Sequence, residues 1–236
     1  MTPPGRYALV IGETSGWTDD GRPFDWERVF GRRAPRILDI GCGDGRYLIS
    51  SARTRPGTDH LGIERIGPLL ARGVREADRR GLPNLRLVAG DAVAWLFGRL
   101  DAASVDEVHV YHPQPYYDPD VARLGMLTAG FFERAWRVLV PGGLLVLQTD
   151  NRPYGKHLLQ ACRNHFEPQI RSGPLPDAPL GRTRREAVAL RKNLKVLRVT
   201  ARRRESPLHE APPPEYFAPG RPGLRTVRAA RKRTGR

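Results

Sequence analysis

Short apolar segments alternate with amphipathic segments from Arg36 onward, and this alternation limits the possible folds more than any other feature of the chain. The apolar segments have the length of strands, whereas the amphipathic segments show the helical period of about 3.6 residues. Strands that are each followed by a helix predict a parallel, doubly wound α/β sheet. In such a sheet, ligands bind beyond the carboxyl ends of the strands. The predicted strands are RILDI, DHLGIE, NLRLVAG, VDEVHVY and GLLVLQTD.

Three regions of the chain differ in composition. Residues 1–34 mix glycine, proline and polar residues and are predicted to form an irregular N-terminal arm, with a short helix at DWERVFG. Residues 35–202 form the predicted domain, in which AVALRKNLKVLRVTARR is expected to add one or more late strands. Residues 203–236 are rich in proline, glycine and arginine, and we expect this tail to be disordered.

The sequence argues against a membrane, secreted or metal-binding protein. No apolar run approaches the length of about 18 residues that predicts a transmembrane helix. The start, MTPPGRYALVIGETSGW, lacks the basic-then-apolar layout of a signal peptide. Cys42 and Cys162 lie far apart and show no metal-ligand spacing. We therefore expect a cytoplasmic protein without a metal site.

The chain is strongly basic, with 40 lysines and arginines, 25 aspartates and glutamates, and a formal net charge of +15. Arginine dominates this excess, and its guanidinium group matches the geometry of phosphate. Such a charge would attract a polyanion such as a nucleic acid. A genome rich in G and C would also favour arginine codons, so the charge alone leaves nucleic-acid binding open.

The segment ILDIGCGDG is the most specific motif in the chain. Gly41, Gly43 and Gly45 follow a predicted strand and open a predicted helix, where glycines allow close approach of a ligand. The dinucleotide fingerprint G-x-G-x-x-G is excluded because position 46 is arginine. An acid, Asp39, lies inside the strand just before the loop. This arrangement resembles the first motif of class I S-adenosylmethionine (SAM)-dependent methyltransferases, and the resemblance implies SAM as the cofactor.

Two further acids lie at the ends of the next two predicted strands. Glu64 ends the second strand, where a carboxylate can accept hydrogen bonds from both ribose hydroxyls. Asp91 follows the third strand, where a carboxylate can accept from the adenine amino group, with the backbone of Ala92 nearby. Each acid alone is more often a helix N-cap or a solvated acid. Their combination with the glycine loop and Asp39 favours SAM as the ligand.

The stretch VHVYHPQPYYDP ends the fourth predicted strand, where an acceptor pocket is expected. It differs from the N-P-P-Y motif of amine methyltransferases, because a glutamine separates the prolines and no Asn or Asp precedes them. It resembles the FPDPW loop of the tRNA (guanine-N7-)-methyltransferase family. The resemblance extends over residues 24–202 through LGIER, GLPNLRLVAGDA, FFERAWRVLVPGGLLVLQTDNRPYGKHLL and TRRE, which are similar to further segments of that family in the same order.

This resemblance implies a Rossmann-like class I methyltransferase fold with a mainly parallel, seven-stranded sheet. It also implies transfer of a methyl group from SAM to N7 of a guanine in tRNA. Guanine N7 carries a lone pair and needs no general base, so the enzyme has to hold N7 in line with the sulfonium methyl group. Bacterial members of the family generally work without a partner subunit, and the resemblance therefore implies a monomer.

By resemblance, catalytic roles fall on Asp150, Gln114 and Tyr116. Asp150 is the acid of the family's TD segment, Gln114 stands where the family has an acid, and Tyr116 stands where the family has tryptophan. Carboxylate and amide oxygens suit the N1–H and N2–H₂ donors of guanine, and a tyrosine can stack on the base. The substrate-binding residues implied by the resemblance are Gln114, Asp150, Tyr154, Thr183 and Glu186.

Two departures from the family leave other functions open. The family follows its FPDPW loop with a run of basic residues, whereas this chain has YDPDVARLGML, and the acid of the loop is an uncharged amide. Contact with RNA is then expected from the basic segment RTRREAVALRKNLKVLRVTARRR, unless that segment is only the solvated face of a strand. The alternatives are a SAM-dependent methyltransferase with another acceptor (another RNA site, a protein or a small molecule) and a catalytically inactive RNA-binding relative.

Overall fold

Strands and helices alternate in the computed structural model, which describes residues 8–9, 22–116 and 125–213. All five strands named above are present, as β2 to β6. The strands are β1 (Ala8–Leu9), β2 (Arg36–Ile40), β3 (Asp59–Glu64), β4 (Leu85–Ala89), β5 (Val105–Tyr111), β6 (Leu139–Thr149), β7 (Phe166–Arg171) and β8 (Leu197–Arg203). The helices are α1 (Trp26–Phe30), α2 (Arg46–Thr54), α3 (Gly67–Arg80), α4 (Ala92–Gly98), α5 (Ala129–Val138), α6 (Arg152–Cys162) and α7 (Arg184–Arg191).

The strands form one sheet in the order β1-β4-β3-β2-β5-β6-β8-β7 within the described residues. All pairs from β1 to β6 are parallel, whereas β8 runs antiparallel to both β6 and β7. The seven strands from β2 to β8 confirm the predicted mainly parallel sheet, and the two-residue β1 extends it at one edge. Helices connect the parallel strands, as the alternating pattern predicted.

The central strands are buried on both faces, which explains their nearly continuous apolar sequence. In β2, Ile37 belongs to an apolar cluster on one face of the sheet, and Leu38 belongs to the cluster on the other face. The first cluster includes Leu48 of α2, whereas the second includes Phe131 of α5. Because both faces of the sheet are covered, a ligand can reach it at the ends of its strands, where the candidate site lies.

The late part of the chain differs from the sequence prediction in two ways. The first half of AVALRKNLKVLRVTARR belongs to helix α7 rather than to a strand, because Thr183 caps the helix by accepting a hydrogen bond from the backbone N–H of Glu186 at 3.0 Å. The second half forms β8, as expected. Strand β7 was not predicted, because it contains Pro168 and an exposed Ile170. Proline is tolerated there because β7 is an edge strand.

Both predicted flanking regions are described in part. In the N-terminal arm, the expected short helix is α1, and Asp25 caps it. The start of the C-terminal tail lies against the end of α6, since Asn164 exchanges two hydrogen bonds with the backbone of Glu210, at 2.8 and 3.0 Å. Residues 214–236 of the tail lie outside the described residues. No helix in the described ranges has the length and apolar character that crossing a membrane requires.

Candidate active site

The candidate site lies at the carboxyl end of the sheet, where the strand order reverses between β2 and β5. From β2 the chain adds β3 and then β4 on one side, and it later adds β5 and β6 on the other side. The loops after β2 and β5 therefore lead in opposite directions and leave a crevice between them. Doubly wound sheets bind their ligands in this crevice.

The glycine loop enters this crevice with a left-handed backbone at each of its three glycines. The φ angles are +74° at Gly41, +62° at Gly43 and +64° at Gly45. L side chains rarely adopt this conformation, so the turn needs glycine. The N–H of Gly41 donates to the carbonyl of Ile63 at 2.9 Å and ties the loop to the end of β3. Gly45 then begins α2, which directs a helix N-terminus into the site.

Glu64 supports the loop from the end of β3. Its Oε2 accepts a hydrogen bond from the N–H of Gly43 at 3.0 Å, and its Oε1 accepts from the N–H of Ile66 at 2.8 Å. Each carboxylate oxygen has a second lone pair, which can accept a hydrogen bond from a hydroxyl group. This geometry fits the ribose role expected from the sequence and adds a structural role that the sequence did not reveal.

Asp91 caps helix α4 after β4. Its Oδ1 accepts hydrogen bonds from the N–H groups of Val93 and Ala94, at 2.9 and 3.0 Å. Ala92 is the first residue of this helix. The sequence left open whether Asp91 is a helix cap or a ligand group. The structure assigns it the capping role, and its position at the carboxyl end of β4 is also compatible with binding adenine.

Asp39 is buried in β2 next to the glycine loop, with only 2% of its surface exposed. Its Oδ1 has no hydrogen-bond partner among the described residues. Burial raises the pKa of Asp39 to about 8, the positive charge of Arg182 opposes this rise, and the negative charge of Glu64 adds to it. A buried carboxyl group of this kind is suited to receive a cationic group such as the α-ammonium of SAM.

The acceptor half of the site is built from the loops after β5 and β6. His112 has a left-handed backbone, with φ at +50°, and its N–H donates to the carbonyl of Gln148 at 2.7 Å. Its Nδ1 lies 3.4 Å from Oδ1 of Asp150. Arg185 donates from Nε to both carboxylate oxygens of Asp150, at 3.0 and 2.8 Å. Burial works to raise the pKa of Asp150, but the hydrogen bonds from His112 and Arg185 outweigh it and hold this pKa well below its usual range.

Residues 112–116 of the HPQPYY loop are described, and His112 is the member that contacts this acid. Gln114 is exposed, and its Nε2 donates to the carbonyl of Pro115 at 3.1 Å. Tyr116 and Tyr154, which the sequence assigned to the acceptor, line one cleft of about 290 Å³. Further lining residues are Leu127, Thr128, Ala129 and His157. Two predicted acceptor tyrosines that lie far apart in sequence therefore share a wall of one cavity.

Glu186 of the predicted late pair is fully buried. Its Oε1 accepts hydrogen bonds from Nε2 of Gln148 at 2.7 Å and from Nε of Arg198 at 2.6 Å. Its Oε2 accepts from the N–H of Arg182 at 2.7 Å. Glu186 therefore joins α7 to β6 and β8, while Thr183 caps α7. A substrate contact of either residue stays a prediction.

Three arginines in the segment GRTRRE connect α7 to the site, and the sequence analysis placed them in the basic segment expected to contact RNA. Arg182 is buried, Arg184 forms an ion pair with Asp44 of the glycine loop, and Arg185 binds Asp150. The density of arginine around the TRRE segment was the available signal. It was interpreted as an RNA-binding surface, whereas these three side chains contact groups of the protein itself.

A polar chain lies on the face of β5 that packs against α2. Nη1 of Arg182 donates to Oη of Tyr111 at 2.6 Å, and Tyr111 lies 3.0 Å from Nδ1 of His109. Nε2 of His109 lies 2.8 Å from Glu107, which also accepts from Arg55 at 2.8 Å. These contacts are consistent with a neutral His109, and burial lowers the pKa of this imidazole. Polar residues at every second position of VDEVHVY were the sequence signal for this row of hydrogen-bonded side chains.

Comparisons with known proteins now identify the family. The model of a family described as "Putative methyltransferase" matches residues 33–199. A tRNA (guanine-N(7)-)-methyltransferase of Alkalilimnicola ehrlichii is 34% identical over 190 residues, which cover 79% of this chain and 80% of that protein. A protein of the same name from Halorhodospira halophila is 33% identical over 176 residues, which cover 73% of this chain and 76% of that protein. This chain belongs to the tRNA (guanine-N(7)-)-methyltransferase family.

Solved structures support the fold of this family member. The 16S rRNA methyltransferase KamB matches with a TM-score of 0.57 and 17% identity, over 82% of this chain and 98% of that chain. A precorrin-6y C5,15-methyltransferase from Geobacter metallireducens matches with a TM-score of 0.51 and 15% identity, over 72% of this chain and 81% of that chain. These structures confirm the class I methyltransferase fold. The family uses SAM, and its cationic end is matched by the Asp39 oxygen that has no hydrogen-bond partner in the described part of the chain.

Proposed function

We propose that this chain transfers a methyl group from SAM to N7 of a guanine in tRNA. One observation carries the proposal: the predicted cofactor residues and the predicted acceptor residues follow neighbouring strands at the carboxyl end of one sheet. The glycine loop with Asp39 and Glu64 lies at the ends of β2 and β3, and His112 and Asp150 lie at the ends of β5 and β6. Relatives that are named for this activity are 34% and 33% identical over most of the chain.

The cofactor half has to hold a ligand with a cationic methionine end and an adenosine end. Asp39 can pair with the α-ammonium group, because its Oδ1 faces no other donor among the described residues. Glu64 can accept from the ribose hydroxyls while it holds Gly43 in place. Asp91 and Ala92 lie at the next strand end, and we assign them to the adenine side of the pocket. These residues would hold the two ends of the cofactor and thereby orient it in the crevice.

When bound, SAM would supply a sulfonium methyl group: the lone pair of guanine N7 would form a bond to the methyl carbon while the S–C bond breaks, and the electrons of that bond would leave with sulfur. The chain needs no general base for this step, because N7 carries no proton. Its task is to hold the guanine edge, whose N1–H and N2–H₂ groups are donors. Asp150 stays ionised at neutral pH because its pKa is lowered, and it can accept from these donors.

Three other side chains can position the base. Nε2 of Gln114 donates a hydrogen bond to the carbonyl of Pro115, so Oε1 is the atom of this side chain that can accept a hydrogen bond from guanine. Tyr116 and Tyr154 line the neighbouring cleft and can contact the face of the base. Arg185 contacts both oxygens of Asp150 and thereby fixes the plane of the carboxylate.

We further propose that tRNA phosphates bind a basic surface next to Asp150, formed by α6 and by the segment that leads from α7 into β8. Leu197, at the start of β8, contacts Gly155 of α6, since a Cβ at Gly155 would lie 2.4 Å from the Leu197 side chain. Lysine and arginine side chains are exposed on α6, at the end of α7 and in the connection to β8, whereas Arg198 of β8 is buried and is excluded. The exposed residues are Arg152, Lys156, Arg191, Lys192 and Lys195.

We also propose that the enzyme acts as a monomer in the cytoplasm. The basic surface and both halves of the candidate site are formed by one chain, so a second copy is not needed to complete them. Cys42 and Cys162 are both free thiols, which fits a reducing compartment.

The proposal is tested by incubating the protein with labelled SAM and unmodified tRNA, and by identifying the methylated nucleosides with mass spectrometry. We expect 7-methylguanosine. Asp150→Asn should lower kcat/KM by about 100-fold or more, because it removes a charged acceptor for the guanine edge, while leaving the affinity for S-adenosylhomocysteine unchanged. The matched control is Asp101→Asn. Asp101 is an exposed acid that precedes the amino end of β5, at the end of the sheet opposite to the candidate site.

The two competing functions give different results in the same assay. A methylated nucleoside other than 7-methylguanosine, or methylation of no RNA despite SAM binding, would refute the guanine-N7 assignment. A different acceptor is favoured by one observation, which is that the family's acid is replaced here by Gln114 in an exposed position. Equal rates for Asp150→Asn and the wild type would show that the acceptor pocket has been assigned to the wrong residues.

A further inference from the structure

Arg182 is a buried cation beside the glycine loop. Its guanidinium lies over the ring of Tyr47, with 4.3 Å between Cζ and the ring centroid, and its Nη1 donates to Oη of Tyr111 at 2.6 Å. Its Nε and Nη2 donate to the two carboxylate oxygens of Asp177, at 3.0 and 2.7 Å. These contacts use one N–H group on each nitrogen. A guanidinium has five N–H groups, so two are not used by these contacts.

Arg182 lies on the same face of the sheet as Asp39. Asp39 is paired with His109 across β2 and β5, and the Tyr47 ring lies 5.1 Å from the His109 ring. Tyr111 lies two residues further toward the site and connects His109 to Arg182. The charge of Arg182 also opposes the rise in the pKa of Asp39 that burial causes.

The segment that carries Arg182 is tied to the glycine loop. The ion pair between Arg184 and Asp44 joins the start of α7 to this loop. The N–H of Arg182 donates to Glu186 at 2.7 Å, which fixes the backbone just before the helix. Arg182 is therefore held at the side of the crevice where Asp39 and the glycine loop lie.

We propose that Arg182 binds the α-carboxylate of the methionine end of SAM, while Asp39 receives the α-ammonium group; this rests on the use of SAM in the proposed function. The methionine end carries one positive and one negative group. Burial of either charge without a partner would be unfavourable, and Asp39 alone leaves the carboxylate unpaired. A guanidinium with two further N–H groups can bind a carboxylate through charge-assisted hydrogen bonds.

The first test uses the wild-type protein, so it does not depend on the folding of a variant. Isothermal titration calorimetry compares S-adenosylhomocysteine with its decarboxylated analogue, which keeps the ammonium group and lacks the carboxylate. We expect the analogue to bind about 10- to 100-fold more weakly, as the loss of a charge-assisted hydrogen bond predicts. Equal affinity for the two ligands would overturn the proposal.

The second test assigns this discrimination to Arg182. Arg182→Gln should weaken S-adenosylhomocysteine binding and reduce the preference over the decarboxylated analogue to less than about 3-fold, and Arg182→Lys should restore part of it. Arg134→Gln is the matched control, because Arg134 is a half-buried arginine of α5 that donates to the carbonyls of Leu96 and Leu100 at 2.8 and 2.6 Å. A preference that survives in Arg182→Gln would overturn the proposal.

A third ligand separates a binding role from a structural one. 5′-Methylthioadenosine lacks the whole amino-acid end, so Arg182→Gln should leave its affinity unchanged within about 2-fold. A parallel loss for this ligand would mean that Arg182 only supports the fold. None of these measurements contains RNA, so a failure of the tRNA assignment would leave their outcome unaffected.

Discussion

Ionisation of Asp39 should control the affinity for the methionine end of the cofactor. Burial raises the pKa of this carboxyl group to about 8, against the opposing charge of Arg182 and with a contribution from Glu64. An α-ammonium group binds the ionised carboxylate, and below pH 8 most of the free protein carries a protonated Asp39. Binding should therefore release a proton, and the affinity for S-adenosylhomocysteine should rise with pH between 6 and 8.

The size of this effect follows from the pKa of Asp39. With a pKa of about 8, roughly 1% of the carboxyl groups are ionised at pH 6 and about half at pH 8. The association constant for S-adenosylhomocysteine should therefore rise about 50-fold over this range. Asp39→Asn cannot ionise, so its affinity should be weak and nearly constant. 5′-Methylthioadenosine has no ammonium group, and its binding should not change with pH.

Isothermal titration calorimetry at pH 6, 7 and 8 measures this dependence. Repeating each titration in two buffers with different ionisation enthalpies gives the number of protons released. We expect close to one proton at pH 6 and about half a proton at pH 8 for the wild type. An affinity that is constant within about 2-fold from pH 6 to pH 8, with no proton release, would refute the reasoning.

Ionisation of Asp39 should lower the stability of the ligand-free protein, whereas it raises the affinity for S-adenosylhomocysteine. Its pKa is raised from 3.8 to about 8, so its stabilising contribution is complete below pH 3.8 and is lost as the pH rises through 8. Asp39→Asn stays neutral, and its melting temperature relative to wild type should therefore be higher at pH 8 than at pH 5. A difference between the two proteins that does not vary with pH would contradict this assignment.

Three substitutions test the packing and charge of the site. Gly73→Ala places a Cβ 2.6 Å from a carbonyl oxygen of the glycine loop. This overpacking, of about 1–3 kcal/mol, should lower the melting temperature and weaken the binding of S-adenosylhomocysteine measured by calorimetry. Gly98→Ala is the control, because a Cβ there meets no atom of the described residues within 4 Å. Glu186→Gln leaves the buried Arg198 without its ion-pair partner, so the free energy of unfolding should fall by about 3–5 kcal/mol in urea titrations. Lys156→Ala should reduce the slope of log K against log salt for tRNA binding by about one.

Different outcomes would contradict each of these expectations. Equal melting temperatures for Gly73→Ala and Gly98→Ala would mean that α3 can shift away from the glycine loop without cost. Unchanged stability of Glu186→Gln, with loss of methyl transfer, would favour a direct contact of Glu186 with the substrate. An unchanged salt slope in Lys156→Ala would place the phosphate-binding surface away from α6.

Local patterns were sufficient to predict much of the fold. Each strand from β2 to β6 has an apolar run of strand length, and each following helix has its own period or cap, so these elements could be found from neighbouring residues alone. Strand β7 could not be found in this way, because Pro168 and the exposed Ile170 contradict a strand pattern. Its pairing with β8 at the edge of the sheet provides the stabilisation that its own sequence lacks.

The sequence by itself determined the class of fold, the glycine turn and the positions of the acids, because each depends on a residue type at a strand end. The partners of the arginines were decided only by the tertiary structure. Arg182, Arg184 and Arg185 look alike in the sequence, yet the first is buried beside the glycine loop and the others pair with Asp44 and Asp150. The contacts of a long charged side chain depend on which distant groups the fold brings within a few ångströms, and no local pattern contains that distance.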